Sequence, residues 1–152
     1  MTPHVNPDHS MGFALKRLQQ ALRSRMDAAL ALHGLSAPQY AVLALVAEYP
    51  GISNAELARR SFVAAPTMLR LLDGLSQAGL IARAAPVPEL RVRGTVLTDA
   101  GQQRLAAASG QVQEFEDLLV AQSGPDHAEV IMSWLRECAE LLNAPGFSLP
   151  AP

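Results

Sequence analysis

The sequence predicts a mainly α fold carrying one small β-hairpin, and three observations support that expectation. Apolar residues recur at steps of three and four through most of the chain. Glycines and prolines punctuate those runs at helix-length intervals. Only one stretch, 80–97, offers two short β-type segments around a proline-bearing loop. The 152 residues fit one domain, and with 49% hydrophobic and 17% charged residues a real core can form.

The first helix is expected over about 10–33, with Leu15, Leu18, Leu22, Ala29 and Leu30 on one side. Lys16, Gln20, Arg23 and Asp27 lie opposite them. Roughly 24 residues at about 1.5 Å each make a rod of about 36 Å. Gly34 ends it, as a C′ glycine does. So long a rod on so small a chain predicts a partner. Ser36-Ala37-Pro38-Gln39 reads as a capping box that opens a helix through about Glu48. Tyr40, Val42, Leu43, Leu45 and Val46 make that helix apolar on nearly every side, which places it centrally. Pro50-Gly51 is a turn, and Ile52 is a candidate for a very short strand.

Ser53-Asn54-Ala55-Glu56 reads as a second capping box, starting a short helix through about Arg60. Phe62-Val63-Ala64 leads to a further helix over about 65–78, which Gly79 stops. Pro66 fits its first turn, where a missing N–H costs nothing, and Met68, Leu71, Leu72 and Leu75 form its inner stripe. Two closely linked helices, the second amphipathic, have the layout of a helix-turn-helix. Segments 80–83 and 92–97 then flank a tip, 84–91, that contains Pro86 and Pro88. A hairpin directly behind a helix-turn-helix is a wing. Thr98 caps the next helix, with Asp99 at its positive end. Leu105, Ala108, Val112, Phe115 and Leu119 form a seam of coiled-coil type. Ser123-Gly124-Pro125 breaks this rod. A last helix over about 126–143 carries Ile131, Trp134, Leu135, Cys138, Leu141 and Leu142 on one face, and 144–152 is expected to fray.

Net charge is −2, but its distribution is uneven: +1 over 1–52, +3 over 53–98 and −6 over 99–152. The central segment sets six arginines against Glu56, Asp73 and Glu89. A basic centre lets one face meet phosphates while the remainder stays acidic; chance unevenness is the plain alternative. With the stripe of the 65–78 helix turned inward, Pro66, Arg70, Asp73 and Gln77 face outward, with Thr67 and Gly74 beside them. The N-terminus of that helix, at Ala65, offers N–H groups to phosphate. Arg70 is suited to a bidentate contact with guanine, a solvated surface arginine being the other reading.

Other classes have little footing. There is no phosphate-binding glycine loop, nucleophile elbow or HExxH, so no enzyme and no cofactor are expected. Asp99, Glu114, Glu116 and Asp117 read as a solvated acidic face. His4, His9, His33 and His127 lack ligand spacing, so no metal is expected. Cys138 has no disulfide partner and reads as a structural thiol. The start, MTPHVNPDHS, lacks a secretion signal, and no apolar run reaches the roughly 18 residues of a membrane span. A cytoplasmic protein is the expectation.

The run ISNAELARRSFVAAPTMLRLLDGLSQAGLIAR, a loop ending in EL-RVR, and VLTDAG resemble, in that order, the MarR family of winged helix-turn-helix regulators. The resemblance covers roughly 11–122. It implies a single domain over 1–152, with a DNA-binding lobe at 36–97 and dimerisation helices at 10–33 and 99–143. It places the 65–78 helix in the major groove, so that Ala65, Pro66, Thr67, Arg70 and Gln77 are DNA-binding candidates. Glu89-Leu90-Arg91 matches the family's acidic-x-Arg element, which implies that Arg91 enters a narrow minor groove. Arg93 and Arg83 are phosphate contacts or hairpin salt bridges, and Ser36 and Gln39 either cap their helix or touch phosphate. Three departures reduce the charge available for DNA: Leu69 where a small polar residue is common, Gly74 where a basic one is, and no charge over 84–87.

The implied function is a homodimeric repressor on a pseudo-palindromic operator, its reading helices about 34 Å apart. A small aromatic or phenolic effector would release it. The alternative is a winged-helix module for protein–protein assembly, without sequence-specific DNA binding, whose binding depends little on salt. Packing of the long apolar faces against each other within one chain is the plain alternative to a dimer.

Overall fold

Side-chain oxygens start four of the helices. Ser10, Ser36 and Ser53 accept from the backbone N–H groups of Phe13, Gln39 and Glu56, and Thr98 accepts from that of Gly101. The computed structural model describes residues 4–84 and 94–149. A short 3-10 turn, Pro7–His9, precedes α1 (Met11–Ala31), α2 (Ala37–Glu48), α3 (Asn54–Arg60) and α4 (Ala65–Gln77). Strands β1 (Ile81–Arg83) and β2 (Thr95–Leu97) follow, then α5 (Asp99–Ser123) and α6 (Pro125–Asn143). The chain falls into two compact units, Met1–Val112 and Gln113–Pro152.

In the first unit the core gathers around α2, whose Val42, Leu43 and Val46 are buried. Leu30 of α1, Leu57 of α3, Met68, Leu72 and Leu75 of α4, and Ala108 of α5 join them. Each fully buried leucine or valine contributes about 1.5–3 kcal/mol relative to exposure. The Ser36 box is complete: Ser36 Oγ accepts from Gln39 N–H, and Gln39 Oε1 accepts from Ser36 N–H at 2.9 Å. Ser53 is different. Its hydroxyl caps α3, but Glu56 does not reach back, because Arg59 and Arg60 engage its carboxylate instead. Two guanidinium donors outcompete one backbone N–H for a single anion. The expected second capping box is therefore half formed.

Among the described residues the wing strands are Ile81–Arg83 and Thr95–Leu97, so the first begins one residue later than expected. Ile81 pairs with Leu97, Ala82 with Val96 and Arg83 with Thr95, in antiparallel register. Leu80 precedes the strand, because its N–H is committed to Leu75 C=O, although its C=O still accepts from Thr98 N–H. Ile52 bridges to Thr95, giving the hairpin a short third member. Residues 85–93 lie outside the described residues, and with them the expected positions of Glu89, Arg91, Val92 and Arg93.

The seam on α5 also needs correction. Ala108 is fully buried, and Leu105 and Val112 lean on the first unit's own core. Three of its five positions are thus satisfied within one chain. Phe115 and Leu119, in the second unit, are half-buried.

Two features of the first unit carry steric constraint. A Cβ on Gly101 would overlap the Leu80 carbonyl oxygen, so α5 can start against the end of the α4–β1 link only with glycine there. Between α3 and α4, Phe62 takes a left-handed conformation at φ 53 with its ring 81% exposed. That conformation costs a non-glycine residue roughly 1–2 kcal/mol. We expect Gly101→Ala to lower stability by about 1–3 kcal/mol, the range for an overfilled contact. Chemical denaturation measures it, and an unchanged midpoint would contradict the close approach.

Candidate nucleic-acid interface

Helix α4 divides cleanly between inside and outside. Met68, Leu72 and Leu75 are buried, whereas Ala65, Pro66, Arg70, Asp73 and Gln77 are exposed. Thr67 is half-buried and accepts from Arg70 Nη2 at 3.4 Å, which lays the guanidinium along the helix towards its first turn. Five sequence candidates, Ala65, Pro66, Thr67, Arg70 and Gln77, thus lie on one helix, four of them exposed. Arg91 and Arg93 are outside the described residues.

The two helix starts in this region differ in what they leave free. At α2, Ala37 N–H donates to Asp27 Oδ1 at 2.8 Å, Gln39 N–H to Ser36 Oγ, and Pro38 has no N–H. Ser36 and Gln39 therefore serve as caps, and Asp27, ten residues upstream, completes the closure. At α4, Ala64 supplies no side-chain cap and Pro66 has no N–H. The N–H groups of Ala65 and Thr67 are left without a side-chain partner among the described residues. Unsatisfied donors at the positive end of a helix dipole suit an anion.

Charge is distributed less evenly than the arginine count suggests. Arg59 donates from Nε to Glu56 Oε2 at 2.8 Å, and Arg60 donates from Nε to Glu56 Oε1 at 2.7 Å. Arg60 also lies over the Tyr49 ring, 4.2 Å from its centre. Arg70 and Arg83 form no ion pair among the described residues. Arg83 shares a recess of about 110 Å³ with Leu69, Asp73 and Ser76, at the seam between α4 and the wing strands.

Also in the first unit, a wider recess of about 390 Å³ lies between the end of α2, β2 and α5. Val46, Val96, Leu97 and Leu105 supply apolar wall, and Gln102 and Ser109 supply polar groups. Among the described residues, no group of three His, Cys, Asp or Glu side chains is placed to hold a metal ion. No helix among them is long and apolar enough to cross a membrane.

Comparison with known proteins agrees with this geometry. Residues 35–89 match the MarR family. The HTH-type transcriptional repressor Rv2887 of Mycobacterium tuberculosis is 33% identical over 114 residues, covering 75% of this chain and 82% of that protein. The chain belongs to the MarR family. A solved structure of the transcriptional repressor CouR bound to a 23-mer DNA duplex is 28% identical, with a TM-score of 0.77 over 90% of this chain and 99% of that one. The M. tuberculosis Rv2887 complex with salicylic acid is 29% identical, with a TM-score of 0.67 over 85% of this chain and 96% of that one. This MarR-family regulator thus resembles a protein solved as a DNA complex and one solved as a ligand complex.

The sequence had not singled out Asp27 as a cap or Glu56 as a clamp on two arginines. The first is a contact across a turn, and the second is visible only as acid–basic spacing of three and four. Hydrogen bonds from Arg59 and then Arg60 hold the Glu56 carboxyl well below its usual 4.5, at about 2. A lowered native value adds stability that is complete above about pH 4.5 and disappears as pH falls towards 2. The melting temperatures of the wild type and Glu56→Gln should differ at pH 6 and converge across that acid window. A gap that persists undiminished at the acid end would contradict the clamp.

Proposed function

We propose that this MarR-family regulator is a cytoplasmic homodimeric repressor that inserts α4 into the major groove of a pseudo-palindromic operator. The observation that carries the reading is the two-sided α4: one face is fixed in the core, and the other presents an uncapped N-terminus, Thr67 and Arg70. Residues 36–97 form the reading lobe. Ala65 and Pro66 bring the helix start to phosphate, Thr67 and Arg70 contact base edges, and Gln77 lies further along the same groove. Arg91 anchors the wing in the minor groove, and Arg93 contacts the backbone nearby.

Residues 10–33 and 99–143 join two copies. What supports this is apolar surface left open on each unit. Phe13, Leu15 and Leu18 are 40–51% exposed on α1. Ile131, Trp134, Leu135, Leu141 and Leu142 are 38–63% exposed on α6. Apolar faces of this extent mark association surfaces. A two-fold axis would set the paired reading helices about 34 Å apart.

A small aromatic or phenolic effector then releases the repressor. The 390 Å³ recess beside α5 is within the size range of small-molecule sites, and its apolar wall with a few polar groups suits an aromatic ring. Relatives solved with salicylic acid and with p-coumaroyl-CoA support that class. A ligand that binds one spacing of the reading lobes better than another shifts the population towards it.

Selecting bound duplexes from a random pool tests the core of this reading. An inverted repeat is the expected outcome, and failure to enrich any sequence would overturn it. On the selected duplex, Arg70→Ala should reduce the preference over scrambled DNA by about 5- to 150-fold, the worth of one bidentate base contact. Arg91→Ala should weaken binding and flatten the salt dependence by about one unit of log–log slope. Titrations at several salt concentrations that superimpose on the wild type would remove Arg91 from the interface.

A further inference from the structure

One side chain on the outer part of α4, at the edge of the Arg83 recess, has no part in the DNA reading above. Leu69 is the fifth residue of the helix, directly before Arg70, and it is 50% exposed. The helix does not need it for its own packing stripe, which Met68, Leu72 and Leu75 already fill. At about 100° per residue, Leu69 lies between that stripe and the apex formed by Pro66, Arg70, Asp73 and Gln77. Its outward neighbours are polar: Arg70, Asp73 and Ser76 are all exposed. Half a leucine therefore stands in water, in the N-terminal half of the helix, where residues of a reading helix reach base edges.

The floor of the major groove presents donors and acceptors for every base, and one apolar group, the 5-methyl of thymine. A leucine can neither donate nor accept a hydrogen bond, so the methyl is the only base feature it can recognise. Any other base at that position strips water from a polar edge without replacing the hydrogen bond. We propose that Leu69 selects thymine through its 5-methyl group, at a base pair adjacent to the guanine contacted by Arg70. This rests on the DNA-binding reading above and adds a specificity element to it. Arg70 supplies a polar contact and Leu69 an apolar one from consecutive residues, so each half-site should contain neighbouring G·C and T·A pairs.

The test uses the full-length protein and duplexes recovered by selection from a random pool. Each thymine of one half-site is replaced in turn by deoxyuridine, which removes only the methyl group and preserves base pairing. At one position the wild type should lose about fourfold in affinity, the worth of one buried methyl. Leu69→Ser should bind the thymine and uracil duplexes equally at that position. Leu69 is exposed, so the substitution spares the core, and an unchanged melting curve verifies this. Wild-type binding that is indifferent to deoxyuridine at every position overturns the inference, as does a thymine preference that survives Leu69→Ser. Both results would leave DNA binding itself intact. Failure to recover any duplex would overturn the DNA-binding reading and this inference together.

Discussion

A helix can present a defined face to a rigid partner only if its opposite face is held. In this chain the holding is done by the burial of Met68, Leu72 and Leu75 among Val42, Leu43 and Leu57. Those side chains fix the rotation of α4 about its own axis, and every outward position follows from that one angle. A slip of one residue would turn Arg70 by about 100° and bring Leu71 or Leu69 to its place. The core thus supplies more than stability. It determines which letters of the helix are available to be read.

Polar satisfaction sharpens the same division. The start of α2 is closed by Ser36, Gln39 and Asp27, so its dipole faces groups within the protein. The start of α4 has an alanine at the capping position and a proline in its first turn, so its donors remain available. Electrostatics works alongside. Glu56 engages Arg59 and Arg60, which leaves Arg70 as the guanidinium on the open face of α4. Pairing by Glu56 thus separates the engaged arginines of α3 from the exposed one on α4.

Much of this arrangement was readable from local sequence, because local rules govern it. Ser36 with Gln39, Thr98 before Asp99, and Gly34 and Gly79 after their helices all act within a few residues of themselves. The amphipathic stripe of α4 has the same local character. What escaped depends on contacts between distant segments or on competition for one group. Ser53-Asn54-Ala55-Glu56 has the composition of a capping box, yet two arginines just downstream take its acid. Leu105 and Val112 have the spacing of a seam between copies, yet the core that reaches them includes α1 and α2 of the same chain. Asp27 closes a helix it does not belong to. Leu80 looks like strand and is used instead to terminate a helix. For the site, the residue types on α4 were apparent, but the hydrogen bond between Thr67 and Arg70 and the extent of Leu69 exposure needed coordinates.

Thr98 occupies a small crossroads in this architecture. Its hydroxyl donates to the Gly79 carbonyl at 2.6 Å and accepts from Gly101 N–H at 3.0 Å, while its own N–H is bound to Leu80. One residue thereby rivets the exit of α4 to the entry of α5, and the missing side chain of Gly101 removes any spacer between them. A joint with three hydrogen bonds and no gap behaves like a weld, not a hinge. Torque applied to the opening turns of α5 would be delivered to the trailing end of α4 without loss along a flexible loop.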